Sequence, residues 1–448
     1  MQQSFKEFSE RVRANYKIAP EMYSRYNAKR GLRNADGTGV LVGLTNIGNV
    51  HGYIADEGDK IPDAGCLRYR GVDVASIIDS CVAEDRFGYE EAAFLLLCGG
   101  LPTKRELENF KKAIGQNREL PENFTEDMIL KAPSRDIMNK LARSVLTLYS
   151  YDADPDTTSV DNLLRQAIEL IARFPTIAAY AYQAKIHYFD KKSLVIHSPR
   201  EDLSNAENFL YMIRQNNEYS KLEARVLDTA LILHAEHGGG NNSAFTTRVV
   251  SSSGTDTYSA IAAAVCSLKG PRHGGANNKV MAMMSEIEEN VKDWSNDTEV
   301  RNYLINILKK EAGDGSGLIY GMGHAIYTIS DPRAVILKSM AEELAKEKGY
   351  MPEFYLYDAI ERLTQGAFEE VRGKQKVMCA NVDLYSGFVY KMLDIPKELY
   401  TPIFALSRIA GWCAHRIEET VVESKIIRPA YKSVTGKRDY QKIQDRIY

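Results

Sequence analysis

Gly270-Pro271-Arg272-His273-Gly274-Gly275-Ala276-Asn277 is the stretch on which the fold turns. Upstream, a helix begins near Thr255 or Asp256, and Gly270-Pro271 ends it with a glycine stop and a proline beyond. Downstream, Gly274-Gly275 leads into a methionine-rich helix in which Val280, Met283, Met284, Ile287 and Val291 recur at helical spacing. A histidine therefore occupies a glycine-flanked joint between two helices. Such a joint can hinge, so the pattern predicts a helical chain with a movable part.

The same signals recur along the chain. Ser220-Lys221-Leu222-Glu223 is a capping box, and Leu222, Val226, Ala230 and Leu233 follow it on one face. His234 and His237 lie near the end of that helix, with His237 continuing the apolar face before Gly238-Gly239-Gly240 stops it. From Asp73 onward helix follows helix, and breaks are predicted at Gly99-Gly100-Leu101-Pro102 and Arg173-Phe174-Pro175. Glycines among β-branched residues between Val40 and Tyr53, and again from Gly65 to Gly71, predict a few short strands near the N-terminus. Residues 1–37 are polar and read as an arm on the main body. The expected class is mainly α, without a solenoid repeat.

Composition narrows the function classes. A chain of 448 residues exceeds the roughly 250–300 at which a single core stops growing, so two lobes are expected. Charged content of 26% and a net charge of -3 lack the basic excess that nucleic acid demands. The longest apolar runs, such as Ala92 to Cys98, fall far short of the ~20 residues a bilayer requires. The N-terminus has no apolar h-region and resembles neither a signal nor a transit peptide, so a cytoplasmic protein is expected. Six cysteines without a CxxC pair suggest buried thiols in a reducing compartment.

A second glycine-flanked histidine stands in Gly321-Met322-Gly323-His324, ahead of Asp331-Pro332-Arg333. Asp331 reads as a helix N-cap and Pro332 as its first residue, which puts Arg333 in the first turn. Free N–H groups, the positive dipole end and a guanidinium fork meet there, a combination suited to a carboxylate or phosphate. Taken alone, the stretch reads equally well as an ordinary loop with a surface arginine. Arg408, between Phe404 and Trp412 on an apolar helix, either holds an anion or pairs with a structural carboxylate. His234-Ala235-Glu236-His237 lacks the spacing of H-E-x-x-H, so zinc fits poorly, and no G-x-S-x-G elbow supports a serine hydrolase.

These residues together resemble the citrate synthase family, from about Leu41 to the C-terminus. The resemblance rests on His234-Ala235-Glu236-His237 with Asn241, Gly270 through Asn277, Gly323-His324 through Arg333, Asn381-Val382-Asp383 with Ser386-Gly387, Ser407-Arg408, and Arg428-Pro429. It implies a helical homodimer with a large domain, residues 38–274 and 395–448, and a small domain, residues 275–394, that closes over oxaloacetate to form the acetyl-CoA site. By the same resemblance Asp383 is the base that removes a methyl proton from acetyl-CoA. His273 hydrogen-bonds the thioester oxygen, and His324 polarises the oxaloacetate carbonyl and protonates the new alkoxide. His237, Arg333 and Arg408 hold the oxaloacetate carboxylates, Phe404 lines the pocket, and Arg428 comes from the partner subunit. No metal or other cofactor is implied, and citryl-CoA is hydrolysed to citrate and CoA.

Two departures from the family pattern stand out. The loop after His324 often carries a basic residue that helps with CoA, whereas Ala325, Thr328, Ile329 and Ser330 supply none. Arg272 occupies a usually apolar position and is a candidate to compensate. 2-Methylcitrate synthase, which takes propionyl-CoA, shares the machinery, and one methylene is worth only ~1–3 kcal/mol in a pocket. A non-catalytic homologue would have no need to keep His273, His324 and Asp383 together.

Overall fold

Helices begin where the chain offers an acceptor for their first free N–H groups. Our computed structural model describes residues 2–56, 59–373, 377–422 and 425–446. Ser220 caps the Lys221–His234 helix by accepting from Glu223 N while Glu223 reaches back, and Asp256 accepts from Ser259 N to start Thr257–Lys269. Asp331 accepts from Arg333 N, with Pro332 at the first position of Pro332–Lys348. The Tyr89–Cys98 helix stops at Gly99, whose φ of 87° only glycine adopts easily.

The expected break at Arg173-Phe174-Pro175 does not occur. Val160–Asp190 runs as one helix with Pro175 inside it. An interior proline costs about 3 kcal/mol, but Phe174 and Ile177 beside it are fully buried, each contributing roughly 1.5–3 kcal/mol. Packing therefore outweighs the lost hydrogen bond.

The strands also differ from expectation at one end. Gly48–Asp56, Asp59–Tyr69 and Val72–Asp73 form an antiparallel sheet in that order. Its first pairing runs from Gly48 opposite Tyr69 to His51 opposite Cys66, shifts register at Gly52, and resumes with Tyr53 opposite Pro62. Residues 40–47 are irregular despite their β-branched content, and the described ladder begins only at Gly48.

Contacts divide the chain into two units, Met1–Leu44 with Ile427–Tyr448, and Thr45–Ile426. In the terminal unit no described residue is buried, and Phe8, Tyr16, Leu41, Leu44, Tyr431 and Tyr440 are exposed. The Thr45–Ile426 unit carries the core. In it the long Val160–Asp190 helix packs on Tyr400–Val421, and Thr257–Lys269 packs on Ile137–Leu148 and Asn242–Ser251. A second group pairs Asp297–Lys309 with Met351–Arg372, and sets both Ala276–Asn290 and Pro332–Lys348 against Val382–Met392. Pro332–Lys348 also packs along Lys221–His234, which brings Arg333 at the start of one to His234 at the end of the other.

Candidate active site

Asn381 ties two candidate segments together. Its side-chain oxygen accepts from Asp383 N (3.0 Å) to cap the Val382–Met392 helix, and its amide donates to Gly323 O (2.9 Å). Asn381 N donates to Gly321 O (2.8 Å), and Gly323 N to Cys379 O (2.7 Å), so the His324 loop is laced to the start of the Asp383 helix. Gly321 has φ of 84°, and a Cβ there would lie 2.9 Å from the Leu384 Cβ, so no larger residue fits. On its far side the loop is held by the sheet. Thr328 Oγ1 donates to Gly52 O, and Gly65 N donates to Ser330 Oγ (3.2 Å). Thr328 and Ser330, two of the residues that replace the expected basic side chain, thus anchor the loop.

Within this frame the rings and guanidinium groups converge. His324 Nδ1 accepts from Ile326 N and Tyr327 N, both at 3.1 Å, which leaves the proton of the neutral ring on Nε2. The His324 ring lies 5.3 Å from that of His237 and 4.7 Å from that of Tyr327. Arg333 sits 5.6 Å over the Tyr327 ring and is gripped by Asp331, Nε to Oδ1 at 3.0 Å and Nη2 to Oδ2 at 2.7 Å. From the Tyr400–Val421 helix, Arg408 lies 5.2 Å from the Phe404 ring, and Phe404 stacks on His234 at 3.8 Å. Arg408 is 1% exposed; its Nε donates to His234 O, and its Nη1 has no hydrogen-bond partner among the described residues. Nor has His237 Nε2.

His273 is fixed differently. Its Nε2 accepts from Ser243 N (3.3 Å) and lies 3.0 Å from Ser243 Oγ, so the neutral ring carries its proton on Nδ1. Trp412 Nε1 donates to the same hydroxyl (3.1 Å), which in turn donates to Asn241 Oδ1 (2.9 Å).

The charges follow from burial. Burial, opposed by Arg333 and Arg408, pushes the Asp383 carboxyl up to about 6. Burial and Arg408 bring His273 down to about 4, and burial with the nearby arginines holds His234 and His237 well below the usual histidine range. Burial also lowers Arg408 to about 10, while Arg333 rises because Asp331 outweighs its burial. At neutral pH His234, His237 and His273 are therefore neutral, and beside them stand two guanidinium groups and a carboxylate of raised basicity, a set suited to binding a dicarboxylate and abstracting a proton. Among the described residues no group of three or more His, Cys, Asp or Glu is placed to hold a metal.

A family model described as "Citrate synthase, C-terminal domain" matches residues 34–430. The chain is 37% identical over 362 residues to citrate synthase of Deinococcus radiodurans, covering 80% of this chain and 88% of that one. The chain belongs to the citrate synthase family. It is also 32% identical over 364 residues to 2-methylcitrate synthase of Shewanella oneidensis, covering 81% of this chain and 87% of that protein. A solved ternary complex of carboxymethyl coenzyme A and oxaloacetate with citrate synthase from Thermoplasma acidophilum superposes with a TM-score of 0.75 at 28% identity, over 93% and 99% of the two chains. Citrate synthases are acyltransferases, and so is this enzyme.

In this citrate synthase family member, His237, His324 and Arg333 gather around Tyr327, Phe404 lies between His234 and Arg408, and His273 and Asp383 both feel the Arg408 charge. Arg428 is exposed and lies in the terminal unit. Arg272, beside His273, is exposed too. Asn277, Ser386 and Gly387 prove to be packing residues: Asn277 Nδ2 donates to Ser386 Oγ, and a Cβ at Gly387 would lie 2.7 Å from Asn277 Oδ1. Ser243 was not singled out in the sequence, and nothing local marks it; Trp412 and Tyr327 entered only as neighbours of Arg408 and His324.

Proposed function

We propose that this enzyme condenses acetyl-CoA with oxaloacetate and water to give citrate and CoA. The observation that carries the reading is the raised Asp383 carboxylate beside two arginines and two histidines of opposite tautomer. Arg333, Arg408 and His237 would hold the oxaloacetate carboxylates, with Phe404 lining the pocket. Asp383 takes a methyl proton from acetyl-CoA while His273 Nδ1–H donates to the thioester oxygen, where charge develops. The enol carbon attacks the oxaloacetate carbonyl, to whose oxygen His324 Nε2–H donates a hydrogen bond and then a proton. Water then cleaves the citryl thioester, releasing CoA. No metal or cofactor enters these steps.

The assembly we propose is a cytoplasmic homodimer, in which the partner's Arg428 completes the site. The exposed apolar side chains of the terminal unit support a covering surface, and the lack of a disulfide among the described cysteines, of which Cys81, Cys379 and Cys413 are buried and Cys98 and Cys266 exposed, is in keeping with a reducing compartment. Mixing Arg428→Ala subunits with Asp383→Asn subunits should restore part of the activity, since one site of each heterodimer is intact. We assign residues 38–274 and 395–448 to a large domain and 275–394 to a small one that closes over oxaloacetate, so oxaloacetate should tighten acyl-CoA binding. Arg272 is our candidate for a CoA phosphate, and Arg272→Leu should weaken acyl-CoA affinity.

The reaction is tested by CoA release with oxaloacetate and either acetyl-CoA or propionyl-CoA, with and without EDTA. Oxaloacetate-dependent release, faster with acetyl-CoA and unaffected by EDTA, is expected. Preference for propionyl-CoA would assign 2-methylcitrate synthesis, and no release with either would overturn the proposal.

A further inference from the structure

Between the two histidines of the 234–237 segment stands Glu236, fully buried and unused by the chemistry above. Two glycines from different elements make room for it. A Cβ at Gly48 would lie 2.8 Å from Glu236 Cγ, and one at Gly411 would lie 2.5 Å from its Oε2. Arg408, Gly411 and His415 follow one another at i, i+3 and i+7 on the Tyr400–Val421 helix, so they form one stripe. The Glu236 carboxylate lies on that stripe over its glycine, with an arginine on one side and a histidine on the other.

Among the described residues only His415 gives Glu236 a side-chain hydrogen bond, and the Gly238 backbone N–H also favours its charge. Glu236 Oε1 accepts from His415 Nε2 (3.0 Å), and both side chains are fully buried. The direction is set from behind, because Arg248 Nε donates to His415 Nδ1 (3.1 Å) and so places the imidazole proton on Nε2. Arg248 is itself fixed by Glu419 (2.8 Å), Glu418 and Thr45 Oγ1 (3.0 Å). On the other side Glu236 Oε2 and Arg408 Nη1 are both without hydrogen-bond partners among the described residues. Glu236 and Arg408 nonetheless feel each other: each favours the charged form of the other against burial.

We infer that Glu236 is a resident counter-charge for Arg408, held off it by His415, and that it weakens the grip of the arginine pocket on a dicarboxylate. A buried guanidinium without a neighbouring anion would be costly in the empty site. The same anion repels an incoming dicarboxylate across a medium of low dielectric. Glu236 thus stabilises the empty pocket and limits how tightly it holds both substrate and the tricarboxylate product, which must leave. The inference rests on the reading that Arg408 receives an oxaloacetate carboxylate.

The test is oxaloacetate titration by calorimetry on the full-length enzyme. Glu236→Gln keeps the shape and the acceptor for His415 but removes the charge, and should tighten oxaloacetate about tenfold. Glu236→Asp retains the charge and should stay within about threefold of wild type. His415→Leu frees the carboxylate to turn onto the open Arg408 N–H, and should weaken oxaloacetate about tenfold while leaving the acyl-CoA KM unchanged. A purely structural role would weaken binding in both Glu236→Gln and His415→Leu, so the opposite signs are diagnostic. Unchanged or weaker binding in Glu236→Gln would overturn the inference. Should that variant not fold, unchanged binding in His415→Leu would do so. Wild type that binds no oxaloacetate would overturn the functional reading together with the inference, whereas wild-type binding with an inert Glu236→Gln would sink the inference alone.

Discussion

His273 and His324 reach the same chemical state from opposite directions. His273 stands in a joint between helices, where Ser243 N points at Nε2 and leaves the proton on Nδ1. His324 stands in a loop, where two backbone N–H groups point at Nδ1 and leave the proton on Nε2. A ring nitrogen that already accepts a hydrogen bond from a main-chain N–H cannot take a proton without losing that bond. Each ring is thereby left to donate through its other nitrogen. The difference lies in the support. Main-chain donors persist through any side-chain change, whereas His273 also leans on the Ser243 hydroxyl, which can be removed.

The comparison breaks most visibly if only one ring is a donor to a reacting oxygen. His273→Ala and His324→Ala should each lower kcat by about 10² to 10³, measured as CoA release on protein shown by circular dichroism to be folded. A variant that keeps its kcat within about threefold would remove that ring from the mechanism.

A smaller effect contrasts the neutral rings with the group that must titrate. The Asp383 carboxyl is raised to about 6 from an ordinary value near 3.8, so the folded state binds its proton more tightly than the unfolded chain does. Its charge therefore costs stability in full above about pH 6, and the cost fades as pH falls toward the ordinary value. Asp383→Asn should be inactive yet more stable than wild type at pH 7 by about 1–3 kcal/mol, with the two unfolding curves converging near pH 4. Equal stability at pH 7 would mean that the carboxylate is not held at a cost.

The smallest effect separates the two supports. Ser243→Ala keeps the backbone donor to His273 and removes the hydroxyl, so kcat should fall only about twofold to tenfold, the worth of one net hydrogen bond. A loss as large as that of His273→Ala would show that the hydroxyl, not the main chain, sets the ring.

Much of this architecture was legible in the sequence because it is encoded locally. The Ser220 capping box, Asp331 before Pro332, and the glycine stop at Gly270 each act within a few residues, and each helix boundary appears where these signals place it. The interruption expected at Pro175 fails because the deciding term, burial of Phe174 and Ile177, depends on helices far along the chain. The supports of the site were hidden for the same reason. Ser243 meets His273 across 30 residues and Trp412 across 169, and Glu236 meets His415 across 179. Within its own segment Glu236 looks like any acid at a helix end, and only the fold reveals that two glycines vacate space for it.

The most direct test of the account is the pH dependence of kcat/KM for acetyl-CoA condensation. Asp383 as base, with His273 already neutral, predicts a plateau near neutrality and an acid limb of a single ionisation with its midpoint near 6. A midpoint at the ordinary carboxylate value, or a rate that rises as the solution is acidified through neutrality, would contradict it.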